Sequence, residues 1–198
     1  MTNHKYDYGQ KYQTGGIGGF LIDNFYHDLA ALSLSIKFNN CLEVGSGEGY
    51  STQRIASFLP SHVNFEASEY EAELITKIKS RNPRLHVMQE NIYQMKRMNK
   101  AFDLIYCLEV LEHLVDPITA LQELHRVSRQ YVIASVPHEP WWRLLNLCRL
   151  HYVKDWGNTP GHIQHWDVGS FKQLVSDRFN IIQVKKPLPW IIFLLEKK

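Results

Sequence analysis

The sequence has little that is typical of secreted, membrane-spanning or nucleic-acid-binding proteins. Its 198 residues include only three cysteines, too widely spaced for a disulfide framework or a paired metal motif. The net charge is +2, and without a Lys/Arg block there is no strong nucleic-acid signature. The longest strongly apolar run, 190–195, is far shorter than the roughly 20 residues that span a bilayer. The polar start, 1–13, lacks the apolar core of a signal peptide. We therefore expect a soluble, cytoplasmic protein without a membrane span.

Short apolar segments alternate with helical patterns along most of the chain. Strands are predicted at 41–44, 63–67, 85–88, 102–108, 131–136, 181–184 and 190–195. This alternation predicts an α/β fold with a doubly wound, Rossmann-like, seven-stranded and mostly parallel sheet. Too few residues separate the final two strands for a crossover helix, so the last strand should be antiparallel.

The chain shows neither an internal repeat nor a linker, which predicts a single domain over 1–198. Residues 1–36 form an N-terminal cap segment, a polar, glycine-rich start that should be mobile until ordered, followed by a helix over 20–36. Residues 137–166 interrupt the alternation and are predicted to form an inserted helix and loop. Ser68 and Glu71 have the spacing of a capping box, which would begin a helix there.

A glycine-rich turn follows the first predicted strand. Gly45, Gly47 and Gly49 would let a ligand approach the backbone closely, and the next helix would offer amide donors at its N-terminus. A dinucleotide-binding turn would have its third glycine where Tyr50 stands, which disfavours a nicotinamide oxidoreductase. Glu43 would be awkward beside a pyrophosphate but suits a ligand with an ammonium and a sulfonium. The alternative is a tight turn without a ligand.

Two further polar positions fall at predicted strand ends. Glu66 ends the second predicted strand 21 positions after Gly45, where an acid can accept both hydrogen bonds of a ribose diol. Asn91 follows the third strand and could bond an adenine edge while Ile92 covers a ring face. Alone, each could equally be an ordinary solvent-facing or loop residue.

These residues resemble the motif order of class I S-adenosylmethionine-dependent methyltransferases, in particular domains of the ubiquinone/menaquinone-biosynthesis type. The resemblance covers about 40–136 and rests on four segments. They are Glu43-Val44-Gly45-Ser46-Gly47-Glu48-Gly49, Glu66-Ala67-Ser68, Asn91 and Phe102-Asp103-Leu104-Ile105. The family usually has Asp where Glu66 and Asn91 stand.

The resemblance implies an enzyme that uses S-adenosylmethionine and releases S-adenosylhomocysteine. It implies that the turn, with Ser46, holds the methionine portion of the cofactor and that Glu66 holds the ribose. Ala67 and Ile92 would flank the adenine, and Leu108 would lie along the methionine arm.

The methyl acceptor should bind beyond the carboxyl ends of the strands, where open α/β sheets bind ligands. His113 is the best-placed candidate base there, although it could instead be a helix-start histidine bonded to the backbone. His138 reaches the same edge, and His162 and His165 could close over it. The 137–166 insertion would then form an apolar lid that lines an acceptor pocket.

A divalent metal is a further alternative, which we do not favour. Glu109, Glu112 and His113 with a later histidine resemble the metal-binding pattern of small-RNA 2′-O-methyltransferases and ubiquinone-pathway O-methyltransferases. A cation there would lower the pKa of the acceptor oxygen. The same string is also common in related methyltransferases that use no metal.

The leading hypothesis is transfer of a methyl group, by in-line displacement, to oxygen or nitrogen of a small or medium acceptor. One alternative is a metal-assisted O-methyltransferase. Another is a cofactor-binding partner subunit without catalysis. The sequence does not predict the oligomeric state.

Overall fold

A computed structural model describes residues 16–148, 152 and 155–198. Within these residues the strands are β1 (Asn40–Val44), β2 (Asn64–Glu69), β3 (His86–Gln89), β4 (Phe102–Leu108), β5 (Ser128–Pro137), β6 (Phe179–Lys185) and β7 (Trp190–Lys197). The helices are α1 (Gly16–Leu34), α2 (Tyr50–Phe58), α3 (Ala72–Arg81), α4 (Pro117–Val127), α5 (Trp141–Cys148) and α6 (Val168–Ser176), with a 3-10 turn at Leu111–His113. The predicted mobility of the N-terminal start concerns mostly residues 1–15, which lie outside the described residues.

The strands form one seven-stranded sheet in the order β3-β2-β1-β4-β5-β7-β6. The pairs from β3 through β5 are parallel, and β7 is antiparallel to both of its neighbours, β5 and β6. The predicted α/β class and antiparallel last strand are therefore confirmed. The strand order reverses between β1 and β4, so a crevice opens at their carboxyl ends, where such sheets bind ligands.

Two apolar layers cover the faces of the sheet. Alternate residues of β4 contribute to each, because successive side chains of a strand point to opposite faces. Leu104 and Tyr106 pack with Leu29 of α1, whereas Ile105 packs with Leu121 of α4. Each fully buried apolar side chain of this size contributes roughly 1.5–3 kcal/mol to the free energy of folding.

Two helix starts show how side-chain caps are used, and at one of them the predicted cap is wrong. Asp116 caps α4, and its carboxylate accepts the N–H of Thr119 at 3.0 Å. Ser68 caps nothing, because it lies inside β2, and α3 begins only after Glu71. The capping-box spacing of Ser68 and Glu71 therefore forms no cap, because β2 continues beyond the apolar residues from which it was predicted.

The described part of the chain contains no helix that is both long enough and apolar enough to span a membrane.

Candidate active site

A cavity lies at the carboxyl ends of β1 and β4, where the strand order reverses. The glycine turn and the first turn of α2 form a polar half of its lining. The other half is largely apolar and comes from α1, the residues after β4 and the first residue of β7. The sheet topology thus brings together segments that are far apart in the sequence.

The glycine turn needs glycine for two separate reasons. Gly45, Gly47 and Gly49 have φ values of 75°, 55° and 84°, a left-handed conformation that other residues adopt at a cost. A Cβ at Gly45 would also lie 2.5 Å from Cγ2 of Val110, whereas a Cβ at Gly47 would meet nothing within 4 Å. The turn is therefore packed against the end of β4 at Gly45 and open at Gly47.

Ser46 anchors the turn to the end of β2. Its hydroxyl donates to the carbonyl oxygen of Ser68 at 2.8 Å, and the N–H groups of Gly45 and Ser46 donate to the same oxygen at 2.9 and 3.1 Å. The shape of the turn is therefore fixed by the strand beside it.

Glu69 is the carboxylate that β2 brings to the cavity. One oxygen accepts the N–H of Gly47 at 2.7 Å, and the other accepts the N–H groups of Tyr70 and Glu71 at 2.8 and 3.0 Å. The side chain lines the cavity although the residue is only 8% exposed. It is thus held rigidly beside the turn, with lone pairs left to accept further donors.

Glu66 lies elsewhere, and the prediction that it ends the second strand is wrong. Its carboxylate contacts Nδ1 of His86 and a guanidinium nitrogen of Arg97, both at 2.8 Å, and does not line the cavity. Burial opposes its ionisation, but these two partners outweigh burial and hold the pKa of Glu66 below its usual value. The parallel register explains the error, because Ser68 pairs with Val44 at the end of β1. The first acid beyond that pair is Glu69.

The residues predicted beside the adenine also lie outside the described lining of the cavity. Ala67 is fully buried in the sheet against Ile78 of α3. Asn91 accepts the N–H of Tyr93 at 2.9 Å, and Ile92 is buried in the core. The side-chain amide of Asn91, which is predicted to recognise adenine, therefore forms an Asx turn with the backbone of Tyr93.

Glu43 lies behind the glycine turn and not in the cavity lining. It is 1% exposed, and it accepts a hydrogen bond from the hydroxyl of Thr52 in α2. Burial raises its pKa to about 7. The structure therefore gives Glu43 a role in positioning the start of α2.

Leu108 is the last residue of β4 and Glu109 comes directly after it, and both line the cavity. Glu109 has a φ of 57°, which is unusual for a residue with a side chain and is found often at functional sites. Its carboxylate accepts the indole N–H of Trp190 at 2.7 Å and the hydroxyl of Ser135 at 3.1 Å. Glu109 thereby fixes the orientation of the indole.

Trp190 joins the apolar half of the cavity to the 137–166 insertion. Its ring centroid lies 5.2 Å from that of Phe25 in α1 and 5.7 Å from that of Trp142 in α5. Trp142 in turn stacks on His162 with centroids 5.6 Å apart. This row of four rings, which we call the aromatic wall, had no sequence signal because its members come from three distant segments.

His113 lines the cavity at the far end of the aromatic wall. Its Nδ1 lies 2.9 Å from the carbonyl oxygen of Gly161, which can only accept a hydrogen bond. In the neutral ring, Nδ1 therefore carries the proton and Nε2 carries the lone pair. The ring of His162 meets that of His113 edge to face at 4.8 Å.

Glu112, His113 and His162 come together, with one ligand atom from each lying within 4.8 Å of the others. Glu112 is 1% exposed and His162 is 8% exposed. The backbone carbonyl of Glu112 accepts the N–H groups of Ile163 and Gln164 at 2.9 and 3.0 Å, which ties the insertion to the 3-10 turn. Glu109, predicted as a member of such a group, is absent from it because its carboxylate turns to Trp190.

His138 and His165 do not line the cavity, contrary to prediction. Nε2 of His165 contacts the side-chain oxygen of Asn158 at 2.8 Å on an exposed part of the insertion. His138 donates its backbone N–H to the carbonyl of Pro189 at 2.8 Å. Burial lowers the pKa of both rings. The later histidine of the site is therefore His162, which the spacing of the loop could not distinguish from His165.

Comparison with known proteins adds to this geometry. Residues 42–133 match the family model described as a methyltransferase domain. Two probable S-adenosylmethionine-dependent methyltransferases of Mycobacterium tuberculosis are 33% identical over 88 residues, which is 44% of this chain and 31% of each relative. The match thus spans about a third of the length of these curated relatives.

Two solved structures have the same fold. The N-methyltransferase NodS from Bradyrhizobium japonicum, in complex with S-adenosylhomocysteine, aligns with a TM-score of 0.68 at 16% identity over 98% of this chain and 93% of its own. The magnesium protoporphyrin IX methyltransferase from Synechocystis, also with S-adenosylhomocysteine bound, aligns with a TM-score of 0.68 at 14% identity over 95% and 91%.

Proposed function

We propose that the chain is a class I S-adenosylmethionine-dependent methyltransferase and that it transfers a methyl group from that cofactor to oxygen or nitrogen of a small or medium acceptor. The observation that carries the proposal is the joining of the glycine turn and Glu69 in one cavity that extends to His113. Polar groups for a cofactor and a candidate base thus face the same space.

The residues of the polar half fit the cofactor. At neutral pH S-adenosylmethionine carries a sulfonium, an ammonium and a carboxylate, a net charge of about +1. The described lining contains four glutamates and neither Lys nor Arg, which suits a net cation. Glu69 would accept the ribose hydroxyls in the role first predicted for Glu66, and the open space at Gly47 would take the methionine portion.

When bound, the cofactor supplies a methyl group on a sulfonium, which is already a good leaving group. The protein then needs mainly to orient the acceptor, and orientation alone can contribute roughly 7–11 kcal/mol in favourable cases. His113 would take the proton of the acceptor on Nε2, because the carbonyl of Gly161 holds the proton of the neutral ring on Nδ1. Leu108 and Trp190 would exclude water beside it.

Calorimetric titration with S-adenosylhomocysteine tests this proposal. The wild-type protein should bind the ligand, and Gly47→Arg should abolish binding because the new side chain enters the open half of the cavity. Gly169→Arg is the matched control, since Gly169 lies at the start of α6, outside the lining. Absence of wild-type binding at millimolar ligand would refute the cofactor site, and so would equal binding by the Gly47→Arg variant.

A metal-assisted O-methyltransferase is the second candidate, supported by the group of Glu112, His113 and His162. One carboxylate and two imidazoles are ligands that suit zinc and similar divalent cations. Atoms bound at about 2.1 Å to one tetrahedral ion lie about 3.4 Å apart, so the group, now within 4.8 Å, would need to close by up to about 1.4 Å. The Nδ1 contact of His113 would orient Nε2 toward the ion, as hydrogen bonds to ligating histidines usually do.

Titration with Zn²⁺ and Mn²⁺ distinguishes this candidate from the metal-free one. Affinity for the cation should fall at least tenfold in a Glu112→Ala, His113→Ala variant. Glu109→Gln should leave it unchanged, because that carboxylate is directed to Trp190 and Ser135. Equal affinity of the double variant and the wild type would eliminate the metal candidate and leave His113 as the proposed base.

A further inference from the structure

The C-terminal end of α3 packs against the second half of the glycine turn, although it lies outside the described lining of the cavity. A Cβ at Gly49 would lie 3.0 Å from Cα of Ile78 and 3.0 Å from the side-chain nitrogen of Asn82, so only glycine allows this close approach. The turn is therefore held by β2 at its start, through Ser46, and by α3 at its end.

Side chains from this end of α3 hold the two backbone carbonyls that precede α2. A guanidinium nitrogen of Arg81 donates to the carbonyl oxygen of Glu48 at 3.0 Å, and the side-chain NH₂ of Asn82 donates to that of Gly49 at 3.1 Å. Because a peptide unit is planar, fixing a carbonyl also fixes the N–H group of the same unit. These two contacts therefore set the orientation of the peptide units that lead from the turn into α2.

Arg81 also contacts the side chains of two residues that line the cavity, Glu48 and Tyr50. Its second guanidinium nitrogen donates to the hydroxyl of Tyr50, and its guanidinium carbon lies 3.7 Å from the centre of the Tyr50 ring. The same nitrogen lies 3.8 Å from one carboxylate oxygen of Glu48, whose other oxygen contacts Nζ of Lys77 at 2.6 Å. Arg81 therefore acts on the cavity through Glu48 and Tyr50.

We propose that Arg81 is a positioning residue for the cofactor and sets the affinity of the site for the methionine portion. This inference rests on the proposed function, in which the methionine portion lies at the glycine turn, and deepens it. The contacts of Arg81 fix the backbone of Glu48 and the ring of Tyr50. Its charge, with that of Lys77, also offsets the carboxylate of Glu48, which would otherwise repel the carboxylate of the methionine portion.

The adenosine portion of the cofactor should depend much less on Arg81. In the proposed function its ribose is bound by Glu69, whose carboxylate is held by backbone N–H groups of Gly47, Tyr70 and Glu71. Loss of Arg81 should therefore weaken ligands that carry the amino-acid group and leave a ligand without that group nearly unchanged. A general loss of structure would weaken both kinds of ligand alike.

Two ligands that differ in the amino-acid group test the inference. S-adenosylhomocysteine and 5′-methylthioadenosine, which keeps the adenosine and the sulfur, are titrated calorimetrically against the full chain. Arg81→Met removes the charge and the hydrogen bonds but keeps an unbranched side chain. We expect it to weaken binding of S-adenosylhomocysteine by about 5- to 50-fold and that of 5′-methylthioadenosine by less than about twofold.

Further variants separate the charge of Arg81 from its hydrogen bonds. Arg81→Lys keeps the charge but lacks the planar fork, so it should weaken S-adenosylhomocysteine binding by only about threefold. Asn82→Ala removes the donor to the Gly49 carbonyl and should have a similar effect. Arg84→Met is the matched control, since Arg84 is exposed, follows α3 and lies outside the lining. Thermal melting reports whether each variant folds.

The outcomes distinguish this inference from the proposed function. If S-adenosylhomocysteine fails to bind the wild type, the proposed function fails and this inference fails with it. If it binds, this inference alone is overturned when Arg81→Met binds it as tightly as the wild type or loses both ligands equally. Failure of 5′-methylthioadenosine to bind the wild type at millimolar concentration would also overturn it. Should Arg81→Met not fold, the ratio of the two affinities in Arg81→Lys decides in the same way.

Discussion

Replacing Glu69 with Gln tests which of the two glutamates of β2, Glu66 or Glu69, binds the ribose of the cofactor. The substitution keeps the shape of the side chain but removes its charge. One carboxylate oxygen of Glu69 now accepts the N–H of Gly47, and the other accepts those of Tyr70 and Glu71. A Gln amide can satisfy only one of these sides, because its NH₂ group would face a backbone N–H on the other.

The expected loss follows from these contacts. Hydrogen bonds to a charged group contribute about 1.5–3 kcal/mol, against about 0.5–1.5 for neutral pairs, so the ribose contacts of Glu69→Gln should lose about 1–2 kcal/mol. Misorientation of the glycine turn should weaken binding further. Because about 1.4 kcal/mol corresponds to a factor of ten, the two losses together predict a 10- to 100-fold weaker affinity for S-adenosylhomocysteine. Isothermal titration calorimetry measures this directly.

Glu66→Gln is the matched control, because Glu66 lies in the same strand, three residues before Glu69. Its carboxylate contacts His86 and Arg97 outside the cavity, so affinity should stay within about twofold of wild type. Its stability should fall modestly, because Arg97 loses one of two carboxylate partners. If Glu66→Gln weakens binding and Glu69→Gln does not, the assignment of the ribose contact to Glu69 is refuted.

Two further predictions concern the turn and the acid behind it. Gly45→Ala should lower the free energy of unfolding by roughly 1–3 kcal/mol, measured by urea denaturation, because φ is 75° and the added Cβ would lie 2.5 Å from Val110; a change under half a kcal/mol would contradict this. The pKa of Glu43 is raised to about 7 by burial, so the folded protein retains a proton that the unfolded chain releases near pH 4.5. The contribution of Glu43 to stability should therefore fall by on the order of 3 kcal/mol as pH rises from about 4.5 through 7, so the stability of Glu43→Gln should fall less over this range than that of the wild type. Parallel pH profiles of the two proteins would show that Glu43 does not carry this dependence.

The fold and the glycine turn could be predicted because both leave local signals. A left-handed turn requires glycine, and Gly45, Gly47 and Gly49 mark it directly. The antiparallel end follows from a connection too short for a helix. Both features depend on residues that are close together in the sequence, so sequence patterns indicate them.

The position of Glu69, the proposed ribose carboxylate, could not be predicted in the same way. Apolar residues end near Ala67, yet β2 continues to Glu69 because Ser68 and Glu69 still pair with β3. Pairing with a neighbouring strand, and not side-chain polarity, decides where this strand ends. The same fact explains why Ser68 is no helix cap.

The aromatic wall depends on contacts between distant segments. Phe25, Trp142 and Trp190 lie on α1, α5 and β7, and only the folded sheet brings them together. His162 and His165 are three residues apart in one loop, and backbone bonds from Ile163 and Gln164 to Glu112 decide which of them reaches His113. Periodicity carries no information about such a loop.

A crystal structure of this chain with S-adenosylhomocysteine tests the central claim most directly. The account predicts that the ligand lies in the cavity at the carboxyl ends of β1 and β4. Its ribose hydroxyls should bond the carboxylate of Glu69, its methionine portion should lie at Gly47, and its sulfur should face the half lined by His113 and Trp190. A ligand bound elsewhere, or a ribose bonded to Glu66, would contradict it.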